Sequence, residues 1–406
     1  MNTELKIVIT GHIDHGKSTL IGRILYDTKT LPGEVQARME GLEKGQLTAT
    51  FASLLDQLQE EIAEEKTIDT TCMYFKTEKK SYVIIDAPGH KEYIKNMITG
   101  ASKADIAVVV VAANEGIKEQ TRRHLFLLKL IGIKNIIVVV TKMDLVAYSE
   151  KIYNFVTEQC SDYMKECDLK PIAFIPISSA EGENILHKSQ KQEWYEGNSL
   201  LGSFDDYQMK NVEKTGLIFP IQDIYSDNES NYIVGRVEAG RVRENDDILI
   251  LPAKKETKIV SIWQWKKVIE EANQGECIGL RLGNMSNVKR GDIITNKNSG
   301  LKVGKYFKAL IFWLHDVASN DIGDKLKIEI ATQSSTCTIK ETHRKIDSST
   351  LKELPLDAPM LYLTEVGEVS IETQEPIVFG NFSNNATLGK FVLLKDDEIV
   401  AGGIIL

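Results

Sequence analysis

The nine residues GHIDHGKST, Gly11 to Thr19, follow directly on the apolar run LKIVIT and open the helical stretch KSTLIGRILY. No other feature constrains the fold as much. The pattern G-x-x-x-x-G-K-S places Gly11, Gly16, Lys17 and Ser18 where a strand feeds a turn and the turn feeds a helix. Such a turn presents consecutive backbone N–H groups and the positive end of the helix, a cradle for polyphosphate. Lys17 is expected to reach the terminal phosphates and Ser18 to ligate Mg²⁺, with His12, Ile13, Asp14, His15 and Thr19 completing the loop. A lone match also occurs in an ordinary strand-to-helix turn with a solvated lysine, so its weight depends on the motifs farther along the chain.

The first half of the 406 residues alternates strand and helix. LKIVIT, SYVIID, IAVVVVAA, NIIVVVTK and AFIPISS are short β-branched runs, separated by stretches such as HKEYIKNMITGASKA and TRRHLFLLKLIG. This texture predicts a mostly parallel sheet with helices on both faces, and ligands at the carboxyl ends of its strands. Further motifs stand at such ends. DAPGH follows SYVII: an Asp at Asp86 suits Mg²⁺, and the Gly89 N–H suits a γ-phosphate. Thr67, in KTIDT, offers a second hydroxyl to Mg²⁺. TKMD follows IIVVV and gives Thr141, Lys142 and Asp144; a carboxylate at Asp144 can accept both the N1–H and the 2-amino group of guanine, a pair that adenine lacks. ISSA follows AFIP, and a turn at Ser178, Ser179 and Ala180 can donate backbone N–H to guanine O6. His90, directly after the glycine expected at the γ-phosphate, suits orienting an attacking water. Each later motif is weak alone; four in this order make the reading specific for GTP and GDP with Mg²⁺.

Between the first helix and the next strand, Phe51, Leu54, Leu55, Leu58 and Ile62 recur at helical spacing, which predicts an amphipathic helix in FASLLDQLQEEIAEE. Near Gln192 the texture changes to a polar connector holding a last short helix. From about Leu217 onward, short strands are punctuated by turns such as YSDNES, NQGE, KRGD and SNNAT, the pattern of barrels or sandwiches. The expected domains are 1–205, nucleotide-binding; 206–298, a β-barrel; and 299–406, a second β-barrel.

Together GHIDHGKST, DAPGH, TKMD and PISSAEGEN resemble the translation-factor superfamily of GTPases, over essentially the whole chain. That resemblance implies an α/β P-loop GTPase domain followed by two all-β barrels. STLIGRILYDT, QTRRH, TKMDLVAYSE, EWYEGNSLL, NVKRGDIIT, TEVGEV and NNATLGKFVLL are similar to one branch, the large GTP-binding subunit of the two-subunit sulfate adenylyltransferase. The branch implies coupling of GTP hydrolysis to formation of adenosine 5′-phosphosulfate from ATP and sulfate, and a smaller catalytic subunit as partner. The chain departs from the family in three places. Thr141 replaces an Asn whose amide braces the loop and contacts the base; that brace is expected to be lost while Asp144 remains, so guanine specificity should survive in weakened form. Lys66 replaces one of two apolar residues flanking the catalytic His, the other being Ile13. Asn245 stands where relatives place a turn Gly, a substitution that Asn tolerates.

The alternative is a carrier of aminoacyl-tRNA to the ribosome, similar to elongation factor 1-alpha. The net charge of −9 weighs weakly against a general nucleic-acid binder. After Gly300 there are 11 Lys/Arg against 15 Asp/Glu, whereas an RNA carrier calls for basic patches and base-stacking aromatics. The five cysteines are odd in number with no C-x-x-C spacing, which predicts reduced thiols rather than a zinc site. MNTELKIVIT carries no basic-then-apolar leader, and no apolar run is long enough for a membrane span, so the expected location is cytoplasmic with no membrane partner.

Overall fold

The computed structural model describes residues 4–40, 42, 50–51, 72–86, 104–208, 216–226, 231–265, 267–297, 299–319, 325–356 and 360–406. Of the expected site, Thr67, Gly89, His90 and Lys66 lie outside the described residues, as does the expected amphipathic helix beyond Phe51. The chain divides into two compact units, Met1–Met209 with Ser348–Thr350, and Lys210–Asp347 with Leu351–Leu406. Among the described residues no helix is long and apolar enough to cross a membrane, and all five cysteines are free thiols.

The first unit is built on a six-stranded sheet. Its strands are β1 (Leu5–Gly11), β2 (Cys72–Lys76), β3 (Ser81–Asp86), β4 (Ile106–Ala112), β5 (Ile136–Thr141) and β6 (Pro171–Pro176), in spatial order β2-β3-β1-β4-β5-β6. All neighbours are parallel except β2 and β3, which form an edge hairpin. Every residue of β4 and β5 is buried, as expected of central parallel strands covered on both faces. The described helices are α1 (Lys17–Asp27), α2 (Gly33–Glu40), α3 (Glu119–Ile131), α4 (Glu150–Glu166) and α5 (Leu200–Asp206). Leu20, Ile21, Ile24 and Leu25 of α1 bury against Ile7, Ile9, Val108 and Val110 of the sheet. Each such side chain contributes at most about 1.5–3 kcal/mol through burial. Because α1 is fixed to the strands beneath it, the turn joining β1 to α1 has a rigid floor.

The second unit holds two closed antiparallel barrels. In the first, strands 247–251, 293–295, 218–226, 231–236, 277–282 and 255–264 pair in that order, and 255–264 returns to 247–251. In the second, strands 326–330, 390–395, 398–405, 302–313, 365–379 and 333–347 pair in order, and 333–347 returns to 326–330. Closure leaves no edge in either ring of six. The inward residues alternate with outward ones, as in Cys277–Leu282, where Ile278, Leu280 and Leu282 are buried.

Candidate guanine-nucleotide site

The phosphate turn begins where β1 runs out beside β4. Gly11 pairs with Val110, and a Cβ on Gly11 would stand 2.4 Å from the Val110 carbonyl oxygen. Asp14 (φ 62°) and Gly16 (φ 88°) are both left-handed, the type of turn that gathers successive N–H groups into a concavity. Helix α1 then starts at Lys17 with neither a side-chain cap nor an acidic residue in its first turn. Its positive end is therefore not neutralised from within the helix, which suits an anion. The Lys17 ammonium donates to the carbonyls of Gly11 and His12, at 2.9 Å each. The charge is thereby held across the turn. Ser18 and Thr19 sit half-buried in the same first turn.

The two loop histidines are structural parts of this turn. His12 Nδ1 lies 2.7 Å from Gln120 Oε1 of α3. The wholly buried His15 meets the Val110 carbonyl through Nδ1 at 3.3 Å, and its Nε2 lies 3.7 Å from the Glu115 carboxylate. Burial lowers the His15 pKa to about 4 against the opposing pull of Glu115, and lowers that of His124, on α3, to about 3. Both folded values lie below the 6.5 of an unfolded imidazole, so the unfolded chain binds more protons below pH 6.5. The stability these residues confer is complete above that pH and is lost as pH falls toward 4. For His15 alone the limit is about 3 kcal/mol. We expect the urea midpoint to hold from pH 8 to 7 and to fall steeply between pH 6.5 and 4. In His124→Gln that fall should be shallower; an equally steep fall would contradict the assignment.

The residues expected to read the base come from two adjacent strand ends. Thr141 ends β5, and its buried hydroxyl donates to the His15 carbonyl at 2.7 Å. This corrects the expectation that replacing Asn by Thr loses the loop brace: a shorter side chain still spans from the base-reading turn to the phosphate turn. Lys142 is left-handed (φ 57°), with its ammonium 3.6 Å from Glu115. Asp144 stands in a 3₁₀ turn, Met143–Val146. It accepts a hydrogen bond of 2.6 Å from the hydroxyl of fully buried Ser178, while the Glu181 N–H donates to that same hydroxyl oxygen at 3.2 Å. Ser178 thus positions Asp144 through its side chain, a role beyond the backbone donation expected of it. The Ser179 hydroxyl is buried with no hydrogen-bond partner among the described residues, and the Ala180 carbonyl accepts from Arg23 of α1 at 3.3 Å. The turns at 141–144 and 178–180 are joined by the Met143 N–H donating to the Ile177 carbonyl, 3.2 Å.

Asp86 ends β3 in register with Ile9 of β1. The Ser18 hydroxyl, in the first turn of α1, is a hard oxygen donor of the kind that suits Mg²⁺. Sequence reasoning missed Glu115 and Gln120, which tie the phosphate turn to α3 and to Lys142. Their signal is faint, because neither belongs to a fixed-spacing motif read from the residues themselves.

A phosphate cradle at a strand end, a carboxylate-bearing turn two strands away and two closed barrels downstream define a GTPase of the translation-factor type. Residues 2–216 match the elongation factor Tu GTP binding domain, 231–295 elongation factor Tu domain 2, and 306–406 the GTP-eEF1A C-terminal domain-like family; the chain belongs to this family. Elongation factor 1-alpha of Archaeoglobus fulgidus is 36% identical over 411 residues, 99% of this chain and 97% of its own. Bifunctional enzyme CysN/CysC of Mycobacterium tuberculosis is 33% identical over 418 residues, 100% of this chain and 68% of its own. Among solved structures, that of Sup35 complexed with GDP aligns with 100% of this chain and 94% of its own at 24% identity, with a TM-score of 0.45.

Proposed function

We propose that this GTPase binds GTP and GDP at the site described and serves as the large subunit of a sulfate adenylyltransferase. In that role, GTP hydrolysis drives a partner subunit to form adenosine 5′-phosphosulfate from ATP and sulfate. Gly11 to Thr19 hold the phosphates, and Asp144, with Thr141, Lys142 and Ser178 to Ala180, reads guanine. His90 orients the attacking water. Ser18, Thr67 and Asp86 hold Mg²⁺, which when bound offsets the phosphate charge.

The observation that carries the choice of partner is that four of the eleven Lys and Arg residues after Gly300 pair with carboxylates. Lys327 pairs with Glu329 at 2.7 Å, Lys340 with Glu372 at 2.8 Å and Lys345 with Glu365 at 3.2 Å, and Arg344 pairs with Glu353. Cations already engaged by carboxylates on an acidic domain make a poor phosphate-backbone track. One feature favours the aminoacyl-tRNA reading instead. The first barrel carries a cavity of about 620 Å³ lined by Tyr225, Tyr232, Trp263 and Trp265, and aromatic faces stack bases. The readings separate cleanly in one assay. The purified chain with ATP, sulfate and GTP should release no pyrophosphate, and adding the cognate small subunit should produce sulfate-dependent release that rises with GTP. Stable binding of aminoacyl-tRNA, with no response to the small subunit, would replace this proposal by the carrier reading.

A further inference from the structure

The chain beyond the guanine motif adopts a conformation that its own residues disfavour. Ala147 (φ 50°) and Tyr148 (φ 55°) are consecutive left-handed residues, neither of them glycine, and a Cβ is crowded there. Such geometry persists where surrounding contacts over-determine it. Four contacts do so here. The Tyr148 N–H returns to the Met143 carbonyl at 2.8 Å. The Tyr148 carbonyl accepts from the Trp194 indole at 3.1 Å. The Tyr148 hydroxyl donates to Glu181 Oε2 at 2.5 Å. Lys191 pairs with Glu181 and with Glu183 (3.2 Å for the latter), and its ammonium lies 5.3 Å from the centre of the Tyr148 ring.

The positions of these residues in the chain give the cluster its meaning. Tyr148 lies four residues after Asp144, and Glu181 directly follows Ala180. A single phenol–carboxylate bond therefore links the segments that carry both base-reading turns. The Glu181 backbone N–H also holds the Ser178 hydroxyl that positions Asp144. Lys191 and Trp194 come from the polar connector and close over this bond from outside, with the Trp194 ring set 5.0 Å from Tyr153 of α4. Burial and the neighbouring Glu181 push the Tyr148 phenol up from its ordinary range, so it remains a donor throughout the physiological range.

We infer that Tyr148, Glu181, Lys191 and Trp194 form a clasp that positions the two base-reading turns and sets how long a guanine nucleotide stays bound. None of the four is assigned a contact with the base; they act through Asp144 and Ser178, and the inference rests on the guanine reading of the site. A hydrogen bond to a charged group, once removed, changes an equilibrium by about tenfold or more. The test uses the full chain and mant-GDP, with dissociation followed by stopped flow and the affinity for GDP compared with that for IDP, which lacks the 2-amino group. Tyr148→Phe removes only the hydroxyl and should raise the off-rate about tenfold and narrow the preference for GDP over IDP. Lys191→Ala, a change at a half-exposed position, should raise the off-rate less. Glu181→Ala should match or exceed Tyr148→Phe, and the double variant should dissociate no faster than Glu181→Ala, because both changes break one bond. Off-rates and GDP-to-IDP preferences within twofold of wild type in Tyr148→Phe and Lys191→Ala would overturn the clasp, even with a lowered melting temperature. So would off-rate increases that multiply in the double variant. If the wild-type chain itself binds no mant-GDP, the guanine reading fails and the clasp fails with it.

Discussion

Asp144→Asn is expected to turn a guanine-selective site into one that prefers xanthine nucleotides. A site built to hydrogen-bond a ligand group rejects an analogue lacking it by a factor of about 10⁴ to 10⁵, and the reversal should approach that size. The reason lies in the donor and acceptor pattern. Guanine offers two donors, N1–H and the 2-amino group, to a carboxylate with two acceptor oxygens. Xanthine offers N1–H and a carbonyl, which an amide complements. The structure adds what fixes the amide's orientation. Ser178 already receives the Glu181 N–H on its oxygen, so its own hydrogen points at Asp144 Oδ1. In the variant, that hydrogen selects the rotamer with the amide oxygen toward Ser178 and the NH₂ group where Oδ2 stood. Competition between GDP and XDP against mant-GDP measures the change. A variant that still prefers GDP, or a wild type that binds ADP as tightly as GDP, would defeat the assignment of Asp144 to the base.

The described turns of this candidate site were legible because they sit at strand ends in short segments. GHIDHGKST fixes a turn by glycine placement, TKMD and ISSA follow unbroken β-branched runs, and the parallel sheet follows from the buried texture of β4 and β5. What sequence reading missed lies in contacts between segments far apart in the chain. Thr141 looked like a lost brace because its bond partner, the His15 carbonyl, is 126 residues away. The connector read as polar filler because Lys191 and Trp194 reveal their role only when folded against Glu181 and Tyr148. Strand β2 escaped notice because it is short: its burial alternates, with Met73 and Phe75 inward and Tyr74 and Lys76 outward, and five residues give little periodic signal. His12 and His15 are legible as shaping the loop, whereas their links to Gln120 and Glu115 depend on where α3 and the turn before it pack.

Three glycines of the first unit test whether the phosphate cradle depends on space or on backbone conformation. At Gly33, the first residue of α2, an added Cβ meets nothing within 4 Å, so Gly33→Ala should leave stability unchanged or raise it by less than the roughly 0.5–1 kcal/mol of a helix interior. At Gly16 a Cβ also meets nothing, but φ is 88°; Gly16→Ala should lose about 1–2 kcal/mol to left-handed strain. Gly11 is different in kind. Its Cβ would stand 2.4 Å from the Val110 carbonyl oxygen and 3.1 Å from the Val110 Cβ, and these belong to a central strand in register with it. A flexible side chain could swing away, but β4 is fully buried and cannot. The relief has to come from β1 and from the turn after it, including the Gly11 carbonyl that holds Lys17. Displacing a preorganised binding loop by about 1 Å costs on the order of 10²-fold in function, and here the whole cradle moves. Gly11→Ala should therefore lose GDP affinity by at least about 10²-fold and melt below Gly16→Ala, with Gly33→Ala at or above wild type. Titration of mant-GDP and thermal melts on the three variants decide the matter. Equal GDP affinity in Gly11→Ala and Gly16→Ala would show that conformation, and not the close approach of β1 to β4, shapes the cradle.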